Sequence, residues 1–315
     1  MNAIKASFAI SLLAVSLAAI YLLFPSGALK ENPSSQATTG LSASASVSVS
    51  TLASPTIDIQ HSEAIKSATK LLGNPLERSS NLRAIYYQFK DSQDPIERHT
   101  AYRAWSACFP TFIAAAGQSV TVEELTSSLP VNSPNRAARI EAYRNLQGRC
   151  KAYSDMPREE TLRLTAEQQE AANSGRILSP GDTAAKQLTD GNQEAALKIV
   201  YNILASKDAF AINSLKDFVQ QYLVLQVDAQ MLTSSERPDL RAMAFSLAAC
   251  ELGLECGPGS LSALQLCTSI AQCSGTVGER YLQALPNQAD RERLHAETRR
   301  VLDAIHSGDF KRLGL

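Results

Sequence analysis

The sequence predicts an all-α protein: an irregular helical bundle or short solenoid of helical hairpins, stapled by disulfides, after an N-terminal hydrophobic segment and a disordered linker. Three observations predict it. From Asp58 onward, apolar residues recur at three- and four-residue spacing. Capping side chains repeatedly stand before Pro at helix-start positions. Six cysteines follow a leader with export features. The 30 Lys+Arg and 31 Asp+Glu among 315 residues exclude a polybasic nucleic-acid binder, and 15 Gly with 13 Pro exclude a collagen-like chain.

Residues 1–57 hold only three charges, Lys5, Lys30 and Glu31. Within them, residues 6–24 form an uncharged, largely apolar stretch after a basic start. With Ser26, Gly27 and Ala28 as a small-residue cleavage site, it reads as a signal peptide. With its bulky end Ile20–Phe24, it reads equally as an uncleaved membrane anchor, since about 20 apolar residues cross the hydrocarbon. Either way the body is exported. Residues 25–57 are rich in Ser, Ala and Thr. The alternation of Ser42–Ser50 (SASASVSVS) buries too little to offset the entropy of ordering, so a linker spanning on the order of 30 Å is expected.

The body, residues 58–315, reads as helical throughout, with a subdivision near 155–180 as its one internal boundary. A first helix is expected over Ser62–Leu72. Asn74-Pro75, Asp94-Pro95, Ser133-Pro134 and Ser179-Pro180 each place a cap before Pro. Asp94/Glu97, Thr121/Glu124 and Thr165/Gln168 have the capping-box spacing, and Gly73 and Gly117 suit positions just past helix ends. Leu82, Ile85, Tyr86 and Phe89 form one apolar stripe. Leu197, Val200, Tyr201 and Leu204 form a second, and Phe210, Leu215, Phe218, Tyr222 and Leu225 a third. The segment from Gly191 to Leu223 resembles a Sel1-like or tetratricopeptide hairpin, although no repeat of about 34–40 residues accompanies it.

In an exported chain an even cysteine count suggests disulfides. Cys108 and Cys150 end expected helices over 95–107 and 134–149; bridging them closes a loop of about 40 residues, worth roughly 4 kcal/mol in the chain-entropy account. Cys250, Cys256, Cys267 and Cys273 follow C-x5-C-x10-C-x5-C around Gly257-Pro258-Gly259, between a helix over 240–252 and a return helix capped by Ser260. Three pairings are open to these four. A corner folding along the return helix favours Cys250–Cys267 with Cys256–Cys273. Gaps of five residues fit zinc poorly, and no C-x-x-C redox motif is present.

Catalytic signatures are sparse. No G-x-S-x-G, H-E-x-x-H, G-x-G-x-x-G or Walker loop occurs. Ser67–Lys70 (SATK) matches S-x-x-K without its supporting motifs and reads as an exposed helix face. His61, His99, His295 and His306 form no helical metal pair. His99 reads as solvated or partly packed, and His306 as a cation closing a helix over 288–305 before Gly308. Residues 290–300 (DRERLHAETRR) read as a solvated, internally balanced face. Trp105 is expected as a buried anchor beside a cysteine bridge. No catalytic, metal or cofactor residue is assigned.

LAACELGLECG over Leu247–Gly257, the Cys267 and Cys273 pair, SGDFKRLGL over Ser307–Leu315 and the Arg149-Cys150 helix end resemble exported helical, cysteine-stapled proteins of proteobacteria. The resemblance implies export, helices and disulfides, and brings no activity with it. The expected role is therefore a non-enzymatic cell-envelope protein, periplasmic and either soluble or held at the inner membrane by residues 6–24. It would bind an envelope protein or cell-wall component, not nucleic acid. The alternatives are a glycan-cleaving enzyme using two carboxylates, with Glu123/Glu124 or Glu159/Glu160 as candidates, and a thiol-redox or stress-responsive protein.

Overall fold

The computed structural model describes residues 75–114, 117–228 and 237–315. The leader, the linker, the Ser62–Leu72 helix with its SATK tetrad, His61, Gly73 and Asn74 lie outside the described residues. Within them the protein is all-α, a disulfide-stapled helical bundle, and no helix there is long and apolar enough to cross a membrane.

Helices α1 (Leu82–Phe89) and α2 (Pro95–Ser106) form the first hairpin. Asn81 and Asp94 cap them through their side chains, and the stripe Leu82, Ile85, Tyr86 and Phe89 is buried as its spacing requires. The short α3 (Val122–Ser127) starts at Thr121 in a reciprocal capping box with Glu124. Then come α4 (Arg136–Ser154) and α5 (Arg158–Asn173). Helix α6 (Pro180–Thr189) starts in a second capping box, Ser179 with Asp182, and pairs with α7 (Gln193–Ser206). A one-turn α8 (Ala209–Asn213) leads through Ser214 into α9 (Leu215–Asp228), which packs on α6 and on α10 (Pro238–Glu251). Helices α11 (Leu261–Ile270), α12 (Val277–Ala284) and α13 (Gln288–Ser307) follow, with a closing 3-10 turn over Phe310–Leu313. Apolar α10 lies between α9 and α13, and α11 lies on α4, so the two ends of the body share one apolar cluster.

Several boundaries differ from the expectation. Helix α4 begins after Pro134, because Ser133 and Pro134 belong to a turn and Asn135 adopts a left-handed backbone with φ 56°. Thr165 caps nothing. It lies inside α5 and donates its hydroxyl to Thr161 O one turn back. Glu97 does not close a box with Asp94 but takes the Ser92 hydroxyl. Gly117 does have positive φ, yet in a loop whose N–H reaches Ala114 O rather than past a helix. The third stripe breaks at Ser214, where α8 and α9 meet, and its last member Leu225 is exposed. Helix α9 folds back on α6 instead of continuing a stack, which makes the body a bundle.

Cys108 and Cys150 are bridged across a sequence separation of 42, with Cα atoms 5.5 Å apart. The other four pair as Cys250–Cys256 and Cys267–Cys273, which corrects the crossed pairing expected from a corner folding along the return helix. Each chain reversal comes sooner than that expectation requires. Helix α10 ends at Glu251, and Gly253, with φ 107°, turns Cys256 back within 5.7 Å Cα–Cα of Cys250. Helix α11 ends at Ala271, whose left-handed backbone (φ 60°) returns Cys273 to Cys267. No free cysteine remains, and three disulfides place the body in an oxidising, exported environment.

Candidate functional site

Several buried and half-buried cations of the bundle are committed to holding it together. Arg149 donates to Glu77 O and Gly259 O and so ties the first described turn to the start of α11. Arg280 reaches Ala263 O, Gly275 O and Pro258 O. Arg241 donates to Leu313 O and pairs with Glu297, which also faces Arg300. Buried Asp290 takes Arg237, so the charged start of α13 is a tertiary joint and not the solvated face expected. Glu77 itself is buried and accepts from Ser262 N and Oγ at 2.8 Å each, a carboxylate seated on the N-terminal turn of α11.

Two cations are arranged differently. Arg103, in the last turn of α2, and Lys216, in the first turn of α9, stand with Asn213 and Gln265 at a waist shared by two clefts. The larger cleft, about 570 Å³, is also lined by His99, Asp182 and Asp217. The smaller, about 160 Å³, is lined by Ser246, Ser262, Tyr281 and both sulphurs' residues of the Cys250–Cys256 bridge. Among the described residues, no carboxylate lines the smaller cleft. Arg103 has one side-chain hydrogen bond among the described residues, to Gln265 Oε1 at 3.5 Å. Neither Arg103 nor Lys216 enters an ion pair among the described residues, where the pairs engage other cations. Burial, and then the Arg103 charge, push the Lys216 ammonium below its ordinary pKa, against the opposing pull of Asp217, Asp182 and Glu77. Tyr281 is pushed upward by burial, against a hydrogen bond with Ser246, so at neutral pH its phenol is an uncharged donor.

His99 sits one helical turn before Arg103 on α2 and is buried, more so than the sequence suggests. Its ring packs against Tyr102 and Phe210, and Nδ1 lies 3.1 Å from Ile177 O. A carbonyl only accepts, so Nδ1 carries the hydrogen of the neutral ring. Burial lowers its pKa, outweighing the pull of that carbonyl and of Asp182, whose Oδ2 is 3.8 Å away. Asp182 is held by Ser179 N at 2.9 Å in the α6 capping box. The pair is a tie between α2 and the start of α6.

The wall behind it is rigid for a steric reason. At Gly181 a Cβ would stand 2.0 Å from Ser214 O, so the start of α6 and the α8–α9 joint meet backbone to backbone. Gly181 N also donates to Ser214 Oγ at 3.1 Å. Lys216 leaves the same joint two residues on, which fixes its origin relative to α6.

The other candidates lie elsewhere. Glu124 is held in its capping box, where the Thr121 backbone and hydroxyl keep its carboxyl below the ordinary range. Glu160 pairs with Arg83 at 3.0 Å and accepts from Tyr87; Glu123 and Glu159 are exposed. The clefts bring none of these four acids together. His295 and His306 are exposed, the latter just before the Gly308 cap. Trp105 stacks on Phe109 at 5.1 Å, beside the Cys108–Cys150 bridge. Among the described residues, no three His, Cys, Asp or Glu side chains cluster to hold a metal.

Sequence reasoning passed over Arg103, Lys216, Asn213, Gln265 and Tyr281 as a group. One signal was available. Lys216 is the single cation between Phe210 and Tyr222, and it stands at a helix start, where the macrodipole disfavours positive charge. No family model, no curated protein and no solved structure matches the chain.

Proposed function

We propose that this protein is a non-enzymatic, disulfide-stapled binding protein of the cell envelope, acting in the periplasm, free or held at the inner membrane by residues 6–24. It takes its partner, an envelope protein or cell-wall component, in the double cleft around Arg103 and Lys216. The observation that carries this reading is the contrast among cations. Arg149, Arg241 and Arg280 are committed to carbonyls and carboxylates of the chain, whereas Arg103 and Lys216 face open space without an ion-pair partner among the described residues. A side chain that holds the fold together is expected to have its partners inside the fold. A two-carboxylate enzyme finds less support, since Asp182 is engaged in a helix cap and its sequence candidates lie elsewhere.

The test is site-specific photocrosslinking in the native envelope. A photoreactive side chain at Ala172, on the rim of the larger cleft, should give a discrete adduct, and one at the exposed Val131 should give none. Equal labelling from both positions, or none from Ala172, would overturn the reading.

A further inference from the structure

We infer that the waist between the two clefts is a seat for one compact oxyanion, a carboxylate or phosphate group of the ligand, gripped by Arg103 from α2 and Lys216 from α9. The inference rests on the reading of the double cleft as a binding site and names the chemistry that the site selects.

The first support is placement. Arg103 and Lys216 line both clefts, so an anion at the waist meets both at once. The second is local charge. Among the described residues the smaller cleft has these two cations and no carboxylate in its lining, with the Tyr281 phenol and the Asn213 and Gln265 amides as neutral neighbours. The titratable and charged groups facing Lys216 are Arg103 and His99 on α2, Asp182 on α6, Asp217 beside it on α9 and Glu77 from the first turn. Asp182 is held by the α6 cap and Glu77 by Ser262, and Asp217 is solvated. None supplies a contact ion pair. The third is mutual repulsion. Each cation raises the electrostatic cost of the other, and Lys216 feels this together with its desolvation. A bound oxyanion relieves both at once and accepts the hydrogen bonds that Arg103 directs only weakly to Gln265 at 3.5 Å. The fourth is size. A volume of about 160 Å³ admits a phosphate or carboxylate group with a few waters, so the rest of the ligand extends into the larger cleft.

Binding therefore restores proton affinity to Lys216, and this distinguishes an anion seat from a neutral amine awaiting a reaction. The experiment is a titration of the lysine side-chain carbons by NMR in the oxidised full chain, with and without inorganic phosphate or succinate at matched ionic strength. In the free chain one lysine titrates below the rest and vanishes in Lys216→Met. Saturating anion should move that titration upward, and calorimetry should show proton uptake on binding near its midpoint. Lys216→Met and Arg103→Met should each weaken binding by about tenfold or more, as expected on deleting a charged hydrogen-bonding partner, while Arg103→Lys retains part of it. Arg299→Met, on an exposed turn of α13, should bind as the parent does. Thermal midpoints of the variants separate lost binding from lost folding. A stronger response to phosphate identifies a phosphate-bearing ligand, and a stronger response to succinate a carboxylate-bearing one. No saturable binding of either anion, or equal binding in well-folded Lys216→Met and Arg103→Met, overturns the inference. An Ala172 adduct that persists in both variants would leave the cleft as a docking surface and remove the anion seat. Anion binding with no adduct would do the reverse.

Discussion

The bridge at Cys108–Cys150 and the two bridges of the α10–α11 corner are the same covalent bond set to different tasks. The first joins the end of α2 to α4 across 42 positions of sequence. The others each close six, at the ends of α10 and α11. The long bridge is surrounded by core: both its cysteines are fully buried, with Phe109 and Tyr153 beside them. The corner bridges are local clamps that set where a helix stops, and Cys250–Cys256 also forms part of a cleft wall. A bond across a long loop removes many conformations from the unfolded chain, and one across a short loop removes few. What a staple contributes is thus decided by how far apart in sequence the fold needs it, not by its chemistry.

That contrast can be broken by measurement, and its largest expected effect is at the long bridge. Cys108→Ala with Cys150→Ala should lower unfolding free energy by about 4 kcal/mol, read from urea midpoints; a loss no greater than that of a corner bridge would refute the comparison. Removing Cys250 and Cys256 together, or Cys267 and Cys273 together, should cost about 2 kcal/mol each. Only the Cys250/Cys256 change should also weaken phosphate binding, because only that pair lines the smaller cleft. The capping boxes are an internal control. Thr121→Ala at α3 and Thr276→Ala at α12 should each cost about 1 kcal/mol, alike in both regions, by thermal or urea denaturation. The smallest effect concerns the tie between the regions, Arg78 with Glu255. Arg78, then the Gly257 N–H, hold the Glu255 carboxyl below its ordinary range. A depressed folded-state pKa stabilises fully above the unfolded carboxylate value, about 4.3, and the gain is lost as pH falls through the folded value. The stability gap between parent and Arg78→Met should therefore narrow on acidification from pH 7; a gap constant with pH would reject the tie.

The fold was legible because its signals are local. Asp94, Thr121, Ser179 and Ser260 each cap the helix their spacing announces, and Leu82, Ile85, Tyr86 and Phe89 are buried together. Boundaries failed where a backbone choice that spacing does not record intervened. Asn135 and Ala271 adopt left-handed conformations without being glycine, one delaying α4 and the other turning Cys273 back to its neighbour. The pairing of the last four cysteines was decided by the reversals at Gly253 and Ala271. The candidate site was almost invisible, for a different reason. Arg103 and Lys216 lie on α2 and α9, more than a hundred residues apart in sequence, and only the folded body brings both to the lining of the same two clefts. A lone cation in an apolar run was the one trace of it, and taken singly such a residue reads as an ordinary surface group. The acids of residues 290–300 misled in the opposite direction, since their balance in sequence concealed the tertiary partners Arg237 and Arg241.

The glycine at 181 has a consequence for anyone reshaping this molecule. With the Gly181 main chain against the Ser214 carbonyl, even a single methyl at 181 would drive the two segments apart. Libraries aimed at a wider specificity must therefore vary lining residues on other helices, at Tyr102 and Ala172, and leave the seam as an immovable datum from which the cleft is measured.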